Sequence, residues 1–532
     1  MSMQTGTGAR RARRHGDGDD HRALTGTERA DESLELRKEA AERERQVPIP
    51  QHPTNGDEER YNTRIGNYSK GLPHNEFGEV DQAAYKTLLH AAETGRPNDF
   101  EKITLGVGKK LTNPQSGLAF DLEGTDSHQL AIPAAPALSS AERAAEMVEN
   151  YWQALTRDVP FSQYGKEPIT TAAIAELNKL TDFKGPKING QVTADTLFRG
   201  TTTGDIVGPY VSQFFLQPAP FGALAVLDSS GKPAQQYIAA QPGVDFMTDP
   251  TSWLAVQNGA NPTSTIQTIG PRYLNAARVL NMFVHVDELY QAYFMATLNL
   301  LDQMNVAFNP GNPYNNSKTQ VGFGTFGNPH AVALVAEVST RALKGVWYQK
   351  WFVHRALRPE AFSGLVHYKI TKNRDYPLHP QVLNSVAAQQ VYNKYGTYFL
   401  PMAFPEGCPT HPSYGSGHAT VAGACATFIK AFFDENHPVT SPVVASDDGK
   451  SLVSYTGPGA DKLTVGTEAN KIASNVGLAR NSAGVHWRSD HAQSILLGEA
   501  IAISILRDQK DTYNEDFGGF TFTKFDGTKI TV

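Results

Sequence analysis

A chain of 532 residues that is 40% hydrophobic and 19% charged can bury a large core, and its net charge of −6 gives no basic footprint for nucleic acid or an anionic membrane surface. Its longest apolar runs, such as Phe221 to Leu227, fall far short of the roughly 20 residues a spanning helix needs, and two cysteines, Cys408 and Cys425, exclude a disulfide framework. Small-molecule chemistry on a globular enzyme is the class left standing.

The first 54 residues are charged and nearly free of aromatic and β-branched side chains, so they are expected to form a disordered tail. Thr27 to Arg45 is rich in Glu, Arg and Ala, but Leu34 and Leu36 are its only large apolar residues, and a solvated, transiently helical segment is expected there. The run Arg10-Arg11-Ala12-Arg13-Arg14 is followed by Gly16-Asp17-Gly18-Asp19-Asp20 instead of the apolar stretch of an export signal, so a cytoplasmic location is expected.

From about residue 55 the helical signal dominates. Ser139-Ser140-Ala141-Glu142 has the form of a capping box, and Met147, Val148, Tyr151, Trp152 and Leu155 follow on one face. Pro271 opens an apolar stretch to about Asn305 that predicts one or two core helices. Further helices are predicted around Ala331 to Trp351, Pro380 to Tyr395, Thr420 to Phe433 and Ser489 to Arg507, with a long Gly- and Pro-rich loop from Asn309 to Pro329. Phe520 to Val532 alternates around Asp526-Gly527, which predicts a terminal β-hairpin. The architecture expected is mainly α: one large helical-bundle domain over 55–532 with a small C-terminal hairpin.

Three segments between residues 350 and 490 concentrate cations, histidines and helix starts. In the first, Lys350 and Arg358 are eight residues apart, about 80° around a helix axis, so their long arms can converge on one anion before Pro359 stops the helix. In the second, Thr410-His411-Pro412-Ser413-Tyr414-Gly415-Ser416-Gly417-His418 runs into an apolar helix. Ser416 and Gly417 therefore stand at a helix N-terminus, where free N–H groups favour an oxyanion. In the third, Arg480 precedes His486, and Asp490, four residues further on, is placed to accept the proton of one ring nitrogen while the other binds a metal centre. Taken singly, these segments read more simply as a solvated face, a helix cap and a structural His–Asp pair.

Together, Lys and Arg-Pro, then Ser-Gly-His, then Arg, five residues, His, three residues and Asp resemble the signature of the vanadium-dependent haloperoxidases and of the acid and lipid phosphatases related to them. The spacing of Lys350 and Arg358, and His411 seven positions before His418, resemble the algal bromoperoxidases; so do Asn67 to His74, Gly322 to Gly327 and Phe525 to Thr528. The Arg- and Ala-rich tail is similar to that of actinobacterial chloroperoxidases of meroterpenoid biosynthesis. Where the family usually carries Pro before Ser-Gly-His, this chain has Gly415, which implies a looser loop.

The resemblance implies vanadate as cofactor, with phosphate able to occupy the same site. Lys350, Arg358, Ser416, Gly417 and Arg480 would hold the oxyanion oxygens, His486 would bind vanadium and Asp490 would orient His486. His418 would be the acid/base group, Lys350 would polarise peroxide, and His411 would handle halide or protons. Hydrogen peroxide, chloride or bromide and a small organic substrate are the expected partners, with a homodimer as the assembly. His354 and His285 sit in helical contexts that favour packing roles, and Lys318 reads either as a halogen-relaying amine or as a solvated lysine. Two other readings of the pocket are a phosphatase working through a phosphohistidine at His486 and a repurposed member that rearranges an α-hydroxyketone. A non-catalytic oxyanion binder has no need for both His418 and the His486–Asp490 pair.

Overall fold

Apolar residues at helical spacing decide most of this architecture, which we describe from a computed structural model covering residues 23–218, 220–221, 224–228, 231–302 and 307–532. The helices that position the site are α1 (Gly26–Arg45), α2 (Ala141–Leu155), α3 (Ala277–Val286), α4 (Gln291–Asp302), α5 (Asn328–Tyr348), α6 (Pro359–Lys372), α7 (Gly417–Phe432), α8 (Val465–Ser482) and α9 (Arg488–Thr512). At the centre lies α7, every residue of which except His418 is buried. A helix that is apolar all round belongs inside a bundle, and α7 packs against α5, α8 and α9. The crossing with α9 is close because it is lined by glycine: a Cβ on Gly423 would stand 2.1 Å from the Ile495 carbonyl oxygen, and one on Gly498 2.0 Å from that of Thr420.

The largest hydrophobic cluster surrounds α7. A second gathers Trp152 of α2, Trp253, Phe362 and Trp487, and a small third one holds Tyr68, Leu72, Tyr85 and Trp351. No helix among the described residues is long and apolar enough to cross a membrane.

Several local expectations need correction. The disordered tail expected through residue 54 does not hold for α1, which is capped by Thr25 and Glu28 and docked at its C-terminal end. There Arg43 pairs with Asp508 at 2.6 Å and Asp511 at 2.8 Å, and buried Glu44 accepts from the Thr125 hydroxyl at 2.8 Å. Ion pairs and a buried carboxylate anchor this helix in place of an apolar stripe, so hydrophobic patterning gives no sign of it. Residues 1–22 lie outside the described residues. The cap of α2 is Ser140, whose side chain accepts from the Arg143 N–H, one residue later than the box that includes Glu142. Pro271 opens no helix. It lies in a strand, Thr268–Arg272, paired with Tyr237–Ala240, a two-stranded ribbon that tolerates its missing N–H. The C-terminal hairpin forms as expected, Thr521–Thr523 pairing with Lys529–Thr531 across the Asp526-Gly527 turn.

Candidate oxyanion-binding site

Lys350 and Arg358 reach the site by a reversal of the chain, not by sharing a helix. After α5 the backbone widens into a π-helical turn, Gln349–His354, and Arg355 then takes a left-handed conformation at φ 39°. Arg358 caps the next helix, with Pro359 in its first turn, where a missing N–H costs nothing. The expectation that Pro359 ends the helix carrying both cations is therefore corrected: it begins the next one. Lys350 is fully buried, and its Nζ donates to the carbonyls of Pro412 and Ser413, both at 2.9 Å. Burial pushes its pKa well below the usual lysine range, and neighbouring Arg358 pushes the same way.

The Arg358 guanidinium is the hub. Its Nη1 donates to the Val485 carbonyl at 2.7 Å and to His486 Nε2 at 3.0 Å, and its Nη2 donates to His411 Nδ1 at 2.9 Å. An arginine only donates, so both of these ring nitrogens act as acceptors. On the far side of His486, Nδ1 lies 2.6 Å from Asp490 Oδ2, which also accepts the Trp487 N–H at 3.2 Å and the Ser413 hydroxyl. A carboxylate on one nitrogen and a guanidinium on the other fix a neutral imidazole with its proton on Nδ1 and its lone pair on Nε2, facing the cations. Burial, then Arg358, Lys350 and Arg480, hold the pKa of His486 well below 6.5.

Ser416 is the N-cap of α7. Its Oγ accepts from the Ala419 N–H at 3.3 Å, which leaves the hydroxyl proton free to donate, and its own N–H donates to Ser494 Oγ at 2.7 Å. A Cβ on Gly415 would stand 2.3 Å from Ser494 Oγ, so glycine is what lets Ser494 close over the loop. Gly417 presses on Trp347, with a hypothetical Cβ 3.1 Å from its ring. The same ring lies 5.6 Å from Lys350 Nζ and 4.8 Å from His411. Trp347 thus joins the helix start to the cation cluster.

His418, at the rim, has a partner that sequence reasoning missed. Its Nε2 lies 2.9 Å from Oδ1 of Asp287, the residue that ends α3, and the His418 side chain is 13% exposed against 2% for Asp287. With Nε2–H donated to the carboxylate, Nδ1 is the basic nitrogen. Burial lowers the His418 pKa below 6.5; Asp287 pulls it up, and Arg480 and Lys350 pull it down. Asp287 lies 131 positions before His418, and no motif joins them.

Arg480, in the last turn of α8, donates through Nη1 to the Val284 carbonyl at 2.6 Å and lies 5.6 Å from the Phe404 ring, which stacks on His285 at 4.0 Å. Its buried Nε has no hydrogen-bond partner. Burial brings its pKa down to about 10. His285 pairs with Glu406 at 2.6 Å, a polar role beyond simple packing. His354 is buried edge-on to Tyr414 at 4.8 Å, as a packing histidine should be, and Lys318 is exposed.

Among the described residues no group of three or more His, Cys, Asp and Glu could hold a cation. The donor set points the other way: three buried cations, a hydroxyl and a helix N-terminus around one imidazole lone pair, with a guanidinium N–H unsatisfied. Buried cationic groups call for a counter-charge, and a set of N–H and O–H donors of this kind suits an oxyanion.

Residues 331–515, which contain every one of these donors, match the model of the VCPO second helical-bundle domain. The chain is 36% identical to a vanadium-dependent bromoperoxidase of Corallina officinalis over 90% of this chain and 92% of that protein. It is 35% identical to one of Ascophyllum nodosum over 95% and 92%. Its structure matches that of a homohexameric second vanadate-dependent bromoperoxidase from Ascophyllum nodosum with a TM-score of 0.89 at 32% identity, covering 97% of this chain and 92% of that one. Likeness at this level over nearly the whole length places the chain in the vanadium-dependent haloperoxidase family.

Proposed function

We propose that the pocket binds orthovanadate and that the enzyme uses hydrogen peroxide to oxidise bromide and chloride, passing the oxidised halogen to a small organic substrate. The observation that carries this reading is the neutral His486, its Nε2 lone pair accepting from Arg358 at 3.0 Å with Lys350 and Arg480 near enough to lower its pKa, and with Arg480 Nε unpartnered. Bound vanadate supplies a pentavalent Lewis acid that activates peroxide toward halide without changing oxidation state.

The residues divide the remaining work. Lys350, Arg358, Arg480, the Ser416 hydroxyl and the Gly417 N–H would hold the oxyanion oxygens, and His486 Nε2, which accepts from Arg358, would be the nitrogen that holds the metal. Asp490 keeps the proton on Nδ1. His418, neutral at pH 7 and held by Asp287, takes a proton from incoming peroxide at Nδ1 and returns it to departing water. Lys350, whose pKa is depressed, is placed to polarise peroxide by hydrogen bonding, and His411, on Arg358 and Trp347, lines the approach of halide.

We also propose that residues 55–532 work as one unit, with α1 docked on it, and that the chain assembles as a homo-oligomer, with the dimer as its smallest form. The homohexameric relative supports association of copies, and sedimentation velocity gives the number. Two free, buried cysteines support a cytoplasmic location.

The test is peroxide-dependent halogenation of monochlorodimedone by protein stripped of oxyanion, with and without vanadate, in bromide and in chloride. Turnover that requires vanadate is expected, and is abolished by phosphate in excess. Absence of turnover in both halides, with tight vanadate binding and hydrolysis of a phosphomonoester, would replace this reading with a phosphatase acting through His486.

A further inference from the structure

A second cavity, of about 520 Å³, lies apart from the oxyanion pocket. None of the proposed oxyanion donors lines it. Its walls come from the loops around residues 161–166, 194–199, 208–216 and 274–275 and from the ribbon at 444–455. This volume falls within the range of small-molecule sites, roughly 300–1,000 Å³.

Two features of the lining point to a ligand. The first is aromatic: Phe161 and Tyr210 stack at 4.1 Å and 9°, Tyr164 stands edge-on to both at 5.5 and 5.8 Å, and Tyr455 closes another side. The second is electrostatic. Arg199 lines the cavity yet is 6% exposed, and among the described residues no carboxylate lies within ion-pair distance of it. Its Nη atoms are satisfied by backbone carbonyls, Nη1 by Gly208 at 3.1 Å and Nη2 by Pro209 at 2.9 Å and by Asp205, but its Nε has no partner. Asp205, Glu468 and Asp195 act on this buried guanidinium only from beyond ion-pair distance, so its charge is incompletely compensated, which is costly. At the rim exposed Lys166 and Asp195 carry one charge of each sign, so Arg199 sets the sign of the interior.

We propose that this cavity binds an aromatic organic anion, its ring against the Phe161–Tyr210–Tyr164 group and its carboxylate, sulfonate or phenolate toward Arg199. The site is independent of the function proposed for the oxyanion pocket, though it adjoins the same scaffold. Behind Phe161 and Tyr210 a small void is closed by Ala277 and Leu280 of α3 and by Leu478, Ala479 and Ser482 of α8. These two helices lead to Asp287 and carry Arg480.

The test is calorimetric titration of the full chain with 8-anilinonaphthalene-1-sulfonate, in excess vanadate so that the oxyanion pocket is filled. One site per chain is expected, weakened about tenfold by Arg199→Met, and occupied about tenfold more weakly by the uncharged analogue N-phenyl-1-naphthylamine. Ala445→Trp, which places an indole on the ribbon wall of the cavity, is expected to abolish binding while vanadate affinity and halogenation persist. If Arg199→Met does not fold, Ala445→Trp and the uncharged analogue decide. Binding unaffected by Ala445→Trp, equal binding of the two probes, or no binding at all overturns the proposal.

Discussion

Asp287 shows how a single side chain sets the chemistry of another. Burial alone would leave His418 a weaker base, and the carboxylate at 2.9 Å restores part of its basicity while fixing which nitrogen carries the proton. Asp287→Asn is therefore expected to lower kcat about tenfold to a hundredfold with vanadate affinity unchanged. Because Asp287 raises the pKa of His418, removing its charge moves that pKa further down. The acid limb of the rate profile then shifts to lower pH, as does the His418 titration followed by NMR. An unshifted titration would reduce Asp287 to a structural role. Asp490→Asn acts on the other histidine: with the tautomer of His486 no longer fixed, vanadate affinity is expected to fall about tenfold to a hundredfold, measured by equilibrium dialysis. The two carboxylates differ in legibility. Asp490 is four residues from its histidine and visible as a spacing, whereas Asp287, after α3, meets His418, on α7, only because both helices pack on α8.

At the scale of elements, apolar helices were legible and polar buried ones were not. α7 announces itself through Val421, Cys425, Phe428, Ile429 and Phe432. α8 is buried along its length, yet no helix was predicted for Val465–Ser482, because Glu468, Lys471, Ser474 and Asn475 interrupt the periodicity. Those side chains are satisfied only in the fold: Lys471 donates to Glu468 at 2.6 Å, Glu468 accepts the Gln213 N–H at 2.6 Å, and Asn475 accepts the Ser212 N–H at 2.8 Å. The π turn that delivers Lys350 has no sequence marker either, so the pairing of Lys350 with Arg358 was anticipated through a helix that does not exist. The start of α7 offers a direct test of how tightly an element is held. Gly415→Ala places a methyl group against Ser494 Oγ, an overpacking expected to cost about 1–3 kcal/mol and to loosen vanadate binding. Adding Ser494→Ala removes the colliding oxygen, leaving its Cβ at an ordinary 3.5 Å, and should recover part of the loss. Recovery stays incomplete because the Ser416 N–H then lacks its acceptor. Chemical denaturation of the two variants gives the comparison, and additive effects would show that Ser494 is not what excludes a side chain at Gly415.

For the whole molecule, the pH dependence of stability follows from buried groups that resist their usual protonation state. Burial lowers His74 and His367 to about 4 and His354 and His491 to about 3, each from an ordinary 6.5. Glu123 and Glu146 are raised by burial from 4.5 to about 7, with Glu337 also raising Glu123. Between pH 4.5 and 6.5 the unfolded chain protonates four histidines that the fold keeps neutral, while the fold keeps protons on two glutamates that the unfolded chain releases. With more histidines kept neutral than glutamates kept protonated among these groups, the unfolded state binds more protons, and stability rises with pH. Below 4.5 the glutamates are protonated in both states and the slope steepens. Above 6.5 the histidines no longer differ: the glutamates pull the slope down, while buried Lys350 and Lys430, held below the usual lysine range, pull it up. The steep rise of the vanadate-free protein's stability is thus expected to end near pH 6.5. His354 and His491 each withdraw roughly 3 kcal/mol by pH 4. Lowered His411, His418 and His486 add to the acid limb with the same sign. Saturating vanadate should raise the whole curve, because a ligand of the folded state alone stabilises it in proportion to the logarithm of its concentration over Kd. Urea unfolding from pH 3.5 to 8, with and without vanadate, measures both effects. A flat profile between pH 4 and 6.5 would mean that the buried histidines open to solvent before the fold is lost.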